Sequence, residues 1–253
     1  VVPAIGCTEP IAVALCVAKA TETLGAKPEK IDVLLSANIL KNAMGVGIPG
    51  TGMIGLPIAI ALGALIGKSE YQLEVLKDSN PAAVEEGKRF IGEKRIDISL
   101  KKNITEKLYI EVCCKSGGNK ATAIIAGGHT TFIYIARNGD VLLNKQSAGC
   151  GEEEAQVAGL TLRKVYDFAM NAPLDEIRFI LETARLNKAA AERSFDGNYG
   201  HGLGRMLRGN YEHKILGDSV FSHILSYTSG ACDARMAGAM IPVMSNSGSG
   251  TQG

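Results

Sequence analysis

Residues 10–24 read PIAVALCVAKATETL, apolar on nearly every side of a helical projection, and Gly25 follows. A stretch with no polar face predicts a helix buried all round, with proline in its first turn and glycine as its stop. Residues 30–36 (KIDVLLS) fit either a short strand or the edge of a helix. Pro57 opens a second apolar helix that runs to Ile66 and stops at Gly67, and Asn80-Pro81 opens another to about Phe90. After Gly92 the pattern changes. Residues 95–100, 108–115, 121–126 and 130–136 are short, β-branched and separated by turn residues, which predicts strands. Asn138-Gly139, between FIYIA and VLLN, carries a hairpin signal. Residues 152–170 predict a helix with acidic residues in its first turn, and residues 175–194 a further helix introduced by Pro173. The last third is helical and glycine-rich.

The order of elements predicts an α+β fold: a helix-rich domain carrying an inserted unit of small antiparallel sheet plus helix. The expected division is residues 1–92 as the first part of a helix-rich catalytic domain, 93–185 as the inserted α+β unit, and 186–253 as the second, incomplete catalytic part. No internal repeat or low-complexity linker interrupts it.

Composition narrows the function. The 253 residues are 46% hydrophobic and 21% charged, with a formal net charge of +1. This is ample length for a buried core. The balanced charge speaks against nucleic acid as a partner, since phosphate binding needs clustered excess Lys and Arg. Aromatics are 5% and Trp is absent, which disfavours base-stacking and carbohydrate sites. The start, VVPAIGCTEP, has neither an initiator Met nor a basic leader, so a short N-terminal piece is expected to be missing and the location to be cytoplasmic. Residues 43–67 carry no charge and are long enough to span a bilayer. They hold Pro49, Pro57 and, in their first half, many glycines, which would leave backbone groups unpaired in lipid, so a buried segment and no membrane association are expected. The high apolar content is compatible with a homo-oligomer. The six cysteines (Cys7, Cys16, Cys113, Cys114, Cys150, Cys232) are scattered without a CxxC pair, so no disulfide framework is expected.

Two glycine patterns fail on context. Residues 45–50 match G-x-G-x-x-G, but no strand precedes them and no acidic strand end follows at the right distance. Residues 63–69 resemble a P-loop one residue short, at the end of a helix where the dipole repels phosphate. Of His129, His201, His213 and His223, none has metal-ligand spacing. Each reads as structural or solvated rather than catalytic, and His129, in GGHT, is the one to watch, because a histidine on a glycine-rich turn can approach a substrate closely.

Three segments set small, polar and glycine residues within apolar sequence: GCTEP at residues 6–10, SANILKN at 36–42 with its glycine-rich sequel, and CDARMAG at 232–238 running into SNSGSG. Such hydroxyls, amides and backbone N–H groups can surround a small zwitterion, with Arg235 holding a carboxylate in a bidentate fork. The candidate substrate-binding residues are Thr8, Asn38, Lys41, Asn42, Arg235, Ser245, Asn246 and Ser247. Cys7 and Glu9 are the catalytic candidates. A helix N-terminus lowers the pKa of a thiol at Cys7 and Glu9 opposes that, so the residues alone leave Cys7 either reactive or inert.

GCTEP, NILKNAMGVGIPGTGMIGLPIA and ACDARMAGAMIPVMSNSGSGTQG together resemble the L-cysteine desulfidase family, relatives of the alpha chain of iron–sulfur L-serine dehydratases. The resemblance covers essentially the whole chain. It implies β-elimination of L-cysteine to pyruvate, ammonia and sulfide, or of L-serine to pyruvate and ammonia, at a 4Fe–4S cluster, with Cys7 matching the family's proposed base. It also implies cluster ligands beyond Gly253, none in this chain, and an inactive fragment when alone. Two other readings are kept. One is a pyridoxal-phosphate β-eliminase with Lys41 as the anchor and SNSGSGTQG as the phosphate loop. The other is a non-catalytic domain that senses an amino acid.

Overall fold

The computed structural model describes residues 4–145, 161–208 and 217–244. The fold is α+β. At its centre is α1 (Thr8–Leu24), which starts where Cys7 holds extended backbone and ends at Gly25 in the left-handed conformation, with the Gly25 N–H on the Thr21 carbonyl at 3.1 Å. Residues from Ile11 to Ala18 are sealed from solvent. They pack against the sheet on one side and α3 (Leu56–Leu65) on the other. This explains an all-apolar helix: it is the middle layer of three.

Residues 30–36 resolve into strand β2 (Lys30–Leu35), with Ile31, Val33 and Leu35 buried at every second position. It lies inside a six-stranded sheet with β3 (Ile96–Leu100), β4 (Tyr109–Ser116), β5 (Asn119–Ala126), β6 (Phe132–Arg137) and β7 (Asp140–Asn144), in the order β3-β2-β4-β5-β6-β7. The β2–β3 pair is parallel and the others are antiparallel. The β6–β7 turn has φ of 52° at Asn138 and 100° at Gly139, the double left-handed geometry that Asn-Gly favours.

Between β2 and β3 run α2 (Ala37–Ala43), capped by the Ser36 side chain, then α3, a 3-10 turn (Ser69–Glu74), and α4 (Pro81–Gly92), capped by Asn80 at 3.0 Å from the Ala83 N–H. The uncharged stretch of residues 43–67 is thus a glycine-rich loop followed by a ten-residue buried helix. No described helix is long and apolar enough to cross a membrane.

The remaining helices among the described residues are α5 (Leu162–Asn171), α6 (Leu174–Ile177), α7 (Phe179–Asp196), α8 (Leu203–Met206) and α9 (Val220–Met236). The helix expected over 152–170 is described only from Leu162, residues 152–160 lying outside the described set. The one expected over 175–194 is divided at Arg178, whose dihedrals are still helical. Helix α9 starts in a capping box between Ser219 and Ser222 and packs on α7 and α8. Its far end joins the first half through β8 (Pro242–Val243), antiparallel to β1 (Ala4–Ile5), and through a backbone seam between Gly47 and Ala237-Gly238.

Candidate active site

The site lies where α1 overhangs the sheet. The Cys16 thiol is 3.3 Å from the Ala123 carbonyl, and Thr21, further along α1, meets Cys114 at 3.7 Å. Going back along α1 therefore moves toward the end of β4 and β5 where Tyr109 pairs with Ala126. Glu9 is seven residues before Cys16, about 10 Å of helix, which matches the three-residue rise from Ala123 to Ala126 and brings it to that end. Two connections leave the sheet there. One is Ser36, whose N–H donates to the Tyr109 carbonyl at 3.0 Å before α2 begins. The other is the Gly127-Gly128-His129-Thr130 turn between β5 and β6.

Glu9 is the hub. Its carboxylate is buried, and it accepts from the Cys7 thiol at 2.9 Å and the Thr8 hydroxyl at 3.2 Å on one oxygen, and from the Asn42 amide at 3.3 Å on the other. Asn42 arrives from α2, one turn past the exposed Asn38 and beside the exposed Lys41. Arg235 arrives from the last turn of α9, where a cation suits the helix dipole. It is 5% exposed, and its Nε–H donates to the Gly6 carbonyl at 3.1 Å, 229 residues away in sequence. Among the described residues neither Glu9 nor Arg235 is in an ion pair. A buried carboxylate and a buried guanidinium thus flank Cys7, each held by neutral partners.

The local electrostatics follow. Burial, then the hydrogen bond to Glu9 and its charge, push the Cys7 thiol up to about 12, against the Glu9 N–H and the Arg235 charge. Cys7 therefore keeps its proton at neutral pH, and the helix N-terminus does not prevail. His129 moves the other way. Burial holds it below its ordinary 6.5, Glu9 pulls it up, and Arg235 pushes it down. The charges of Glu9 and Arg235 thus act on this ring in opposite directions. The expected chemical consequence at Cys7 is slow alkylation. At pH 8, iodoacetamide should modify it about a thousandfold more slowly than a free thiol, given the three-unit rise from 9.0. Mass spectrometry of the trapped peptide checks this, and alkylation at the rate of a free thiol would contradict a protonated, buried Cys7.

On its other side Arg235 lines a cavity of about 240 Å³ between α7, α9 and β8, with Asn187, Tyr227, Thr228, Cys232 and Met244 among its walls. Asn187 clamps Met244 like a strand partner: its amide donates to the Met244 carbonyl at 2.8 Å and its oxygen accepts the Met244 N–H at 2.9 Å. Nothing in the sequence marks this mid-helix Asn. Asp233, next to Arg235's turn, accepts the Gly204 N–H at 3.0 Å and ties α8 to α9. Ser245, Asn246 and Ser247 lie outside the described residues, as does Cys150.

Among the described residues no three of His, Cys, Asp and Glu converge on a point where a metal could sit. Cys16, on α1, and Cys114, on β4, are in the core between that helix and the sheet, and all five described cysteines are unbridged. The described residues therefore do not make a seat for a 4Fe–4S cluster.

Residues 70–253 match the serine dehydratase alpha chain family, and the chain belongs to that family. Its relatives include a UPF0597 protein of Bacteroides fragilis, 81% identical over the whole chain, one of Porphyromonas gingivalis at 52% and one of Chromobacterium violaceum at 46%. The chain spans 59%, 60% and 59% of the length of these relatives. No solved structure matches it.

Proposed function

We propose that this chain binds a small α-amino acid as its zwitterion and takes part in β-elimination, releasing pyruvate and ammonia with sulfide from L-cysteine or water from L-serine. The observation that carries the reading is the pair of buried, opposite charges around Cys7, which form no ion pair among the described residues. A buried ion without a counter-ion is costly. A zwitterion placed between them supplies both counter-ions at once, its ammonium toward Glu9 and its carboxylate toward Arg235. Membership of the serine dehydratase alpha chain family supports the same class of reaction.

In this reading the residues divide the work. Arg235 anchors the carboxylate, and Asn42 and Thr8 fix the Glu9 rotamer. Cys7, protonated and hydrogen-bonded to Glu9, helps hold its carboxylate in place. The resemblance to L-cysteine desulfidases implies a 4Fe–4S cluster, whose ligands would have to come from outside the described residues. A pyridoxal-phosphate reading has no support in the position of Lys41, which is exposed on α2.

The test uses the protein extended to the length of its relatives and loaded anaerobically with iron and sulfide. Pyruvate with sulfide from L-cysteine marks a desulfidase, and pyruvate from L-serine alone marks a dehydratase. No product from either and no binding of either would overturn the reading. With the active protein, Arg235→Lys is expected to raise KM about 10- to 100-fold while changing kcat less, because an ammonium cannot form the bidentate fork. An unchanged KM removes Arg235 from carboxylate binding.

A further inference from the structure

We infer that His129 is the base of this site, taking the Cα proton of the bound amino acid and passing it to the leaving group; the inference rests on the amino-acid reading of Glu9 and Arg235. The position comes from the fold. The β5–β6 turn and the α1 N-terminus meet at the same end of the sheet, as the Cys16 and Thr21 contacts require. The turn is braced on three sides: the Ala126 N–H donates to the Thr131 carbonyl at 3.2 Å, the Thr131 N–H to the Gly128 carbonyl at 3.1 Å, and the Gly127 N–H to the Leu108 carbonyl at 3.2 Å. Gly127 holds φ of 77°, and a Cβ on Gly128 would stand 2.8 Å from the Thr131 hydroxyl, so the turn needs its glycines to bring His129 to this place. A braced turn fixes a catalytic side chain better than a free loop.

The other titratable groups of the site are unsuited to the task. Cys7 is already protonated, and Glu9 is engaged by three donors and, in this reading, by the substrate ammonium. His129 is half-buried, so it is open to a ligand. The charged groups that reach it are Glu9 from α1 and Arg235 from α9, of opposite effect, and burial leaves the ring neutral at neutral pH. A neutral imidazole can take the proton as a base and, as imidazolium, return it as an acid, so one group serves both steps. The step balances. The Cα–H bond breaks to an imidazole N–H, its electron pair forms the Cα–Cβ double bond, and the Cβ–S or Cβ–O bond breaks. The imidazolium proton then goes to the departing hydrosulfide or hydroxide. Water hydrolyses the aminoacrylate, through its imine, to pyruvate and ammonium.

The experiment follows kcat and kcat/KM against pH in the extended, loaded protein with L-cysteine and L-serine. The wild type is expected to lose activity on the acid side with a midpoint below 6.5. His129→Gln and His129→Asn should lower kcat about 10²- to 10⁴-fold, leave KM within about threefold, and remove the acid limb. In His129→Ala, added imidazole should restore part of the rate, a readout that a merely structural role would not give. Activity within threefold of wild type in His129→Gln, an acid limb that survives the substitution, or a loss confined to KM would overturn the assignment. Should the substituted proteins fail to fold, the ring resonances of wild-type His129 decide. They should titrate below 6.5 and shift on adding L-serine, and a ring blind to the amino acid refutes the inference. A wild type that binds L-serine but does not depend on His129 sinks only this inference, whereas one that binds no amino acid sinks the reading beneath it.

Discussion

Gly47→Ala is expected to destabilise the protein by about 3 kcal/mol or more, at the upper end of what overpacking costs. A Cβ on Gly47 would lie 2.2 Å from the Ala237 carbonyl carbon, 2.3 Å from its oxygen and 2.7 Å from the Gly238 nitrogen. These are backbone atoms, which cannot rotate aside as a side chain can. The contact is reciprocal, because a Cβ on Gly238 would meet the Gly47 carbonyl carbon at 2.6 Å, and the seam is tied by the Gly47 N–H on the Met236 carbonyl at 2.8 Å. Two residues on, Pro49 fills the space that a Cβ on Gly6 would take. The loop is thus wedged between the start of α1 and the end of α9, the two segments that carry Glu9 and Arg235. Forcing it apart should lower the melting temperature by about 6–12 °C in a domain of this size and move Arg235 off the Gly6 carbonyl. Gly45→Ala is the contrast. Its Cβ meets nothing, and only the left-handed backbone at φ 76° opposes it, at about 1 kcal/mol. Gly92→Ala, in open space at the end of α4, should be neutral. Thermal melts of the three variants check the order, and a Gly47→Ala protein that melts with wild type would mean the seam is not closed.

This loop shows what could be read from sequence and what could not. Clustered glycine over 45–55 signals close backbone approach, and the structure has one. The partner is invisible, because a contact between two backbones leaves no pattern of side chains and the two strands of the seam lie far apart in the chain. Where chemistry is local, the sequence is explicit. Pro10 with Gly25 bounds α1, Asn80-Pro81 starts α4, and Asn138-Gly139 turns β6 into β7. The 30–36 stretch is ambiguous for a physical reason: its alternation blurs at Leu34-Leu35, and only pairing with β3 and β4 on either side decides for strand. In the site, GCTEP, Asn42 and Arg235 stand out as polar residues in apolar surroundings, and the fold brings these together. Asn38 and Lys41 share the motif but lie on the exposed side of α2, since a helix turns successive residues away from one another. His129 carries a weak signal, a histidine after two glycines, which gains meaning once the α1 overhang is known. Asn187 carries none.

Glu9→Gln is expected to reduce turnover by a factor of about 10³ while leaving the fold nearly intact. The side chain keeps its size. Its amide nitrogen can face Cys7 and Thr8, whose sulfur and hydroxyl oxygen can turn to accept, while its oxygen still accepts from Asn42. The cost to stability is therefore about 1 kcal/mol, the scale of one hydrogen bond. The charge is what disappears. Loss of one member of a buried, hydrogen-bonded charge pair weakens binding by about 2–5 kcal/mol, so a zwitterion loses its ammonium partner and most of its affinity. Two titrations then move in directions that a packing defect would not produce. Glu9 raises Cys7 through its hydrogen bond and its charge, so without it the thiol falls from about 12, though burial, the largest cause, keeps it above the usual 9.0. Glu9 also raises His129 against burial and Arg235, so without it the ring moves further below 6.5. A base must be neutral to act, and lowering its pKa extends the active range downward, so the residual activity of Glu9→Gln should persist to lower pH than that of wild type. Arg235→Lys, which keeps the positive charge, should leave that acid limb where it is. Thermal melts, thiol titration and the pH dependence of the residual rate measure the three effects. Wild-type turnover in Glu9→Gln, or an acid limb displaced to higher pH, would mean that Glu9 neither binds the substrate nor shares its field with His129.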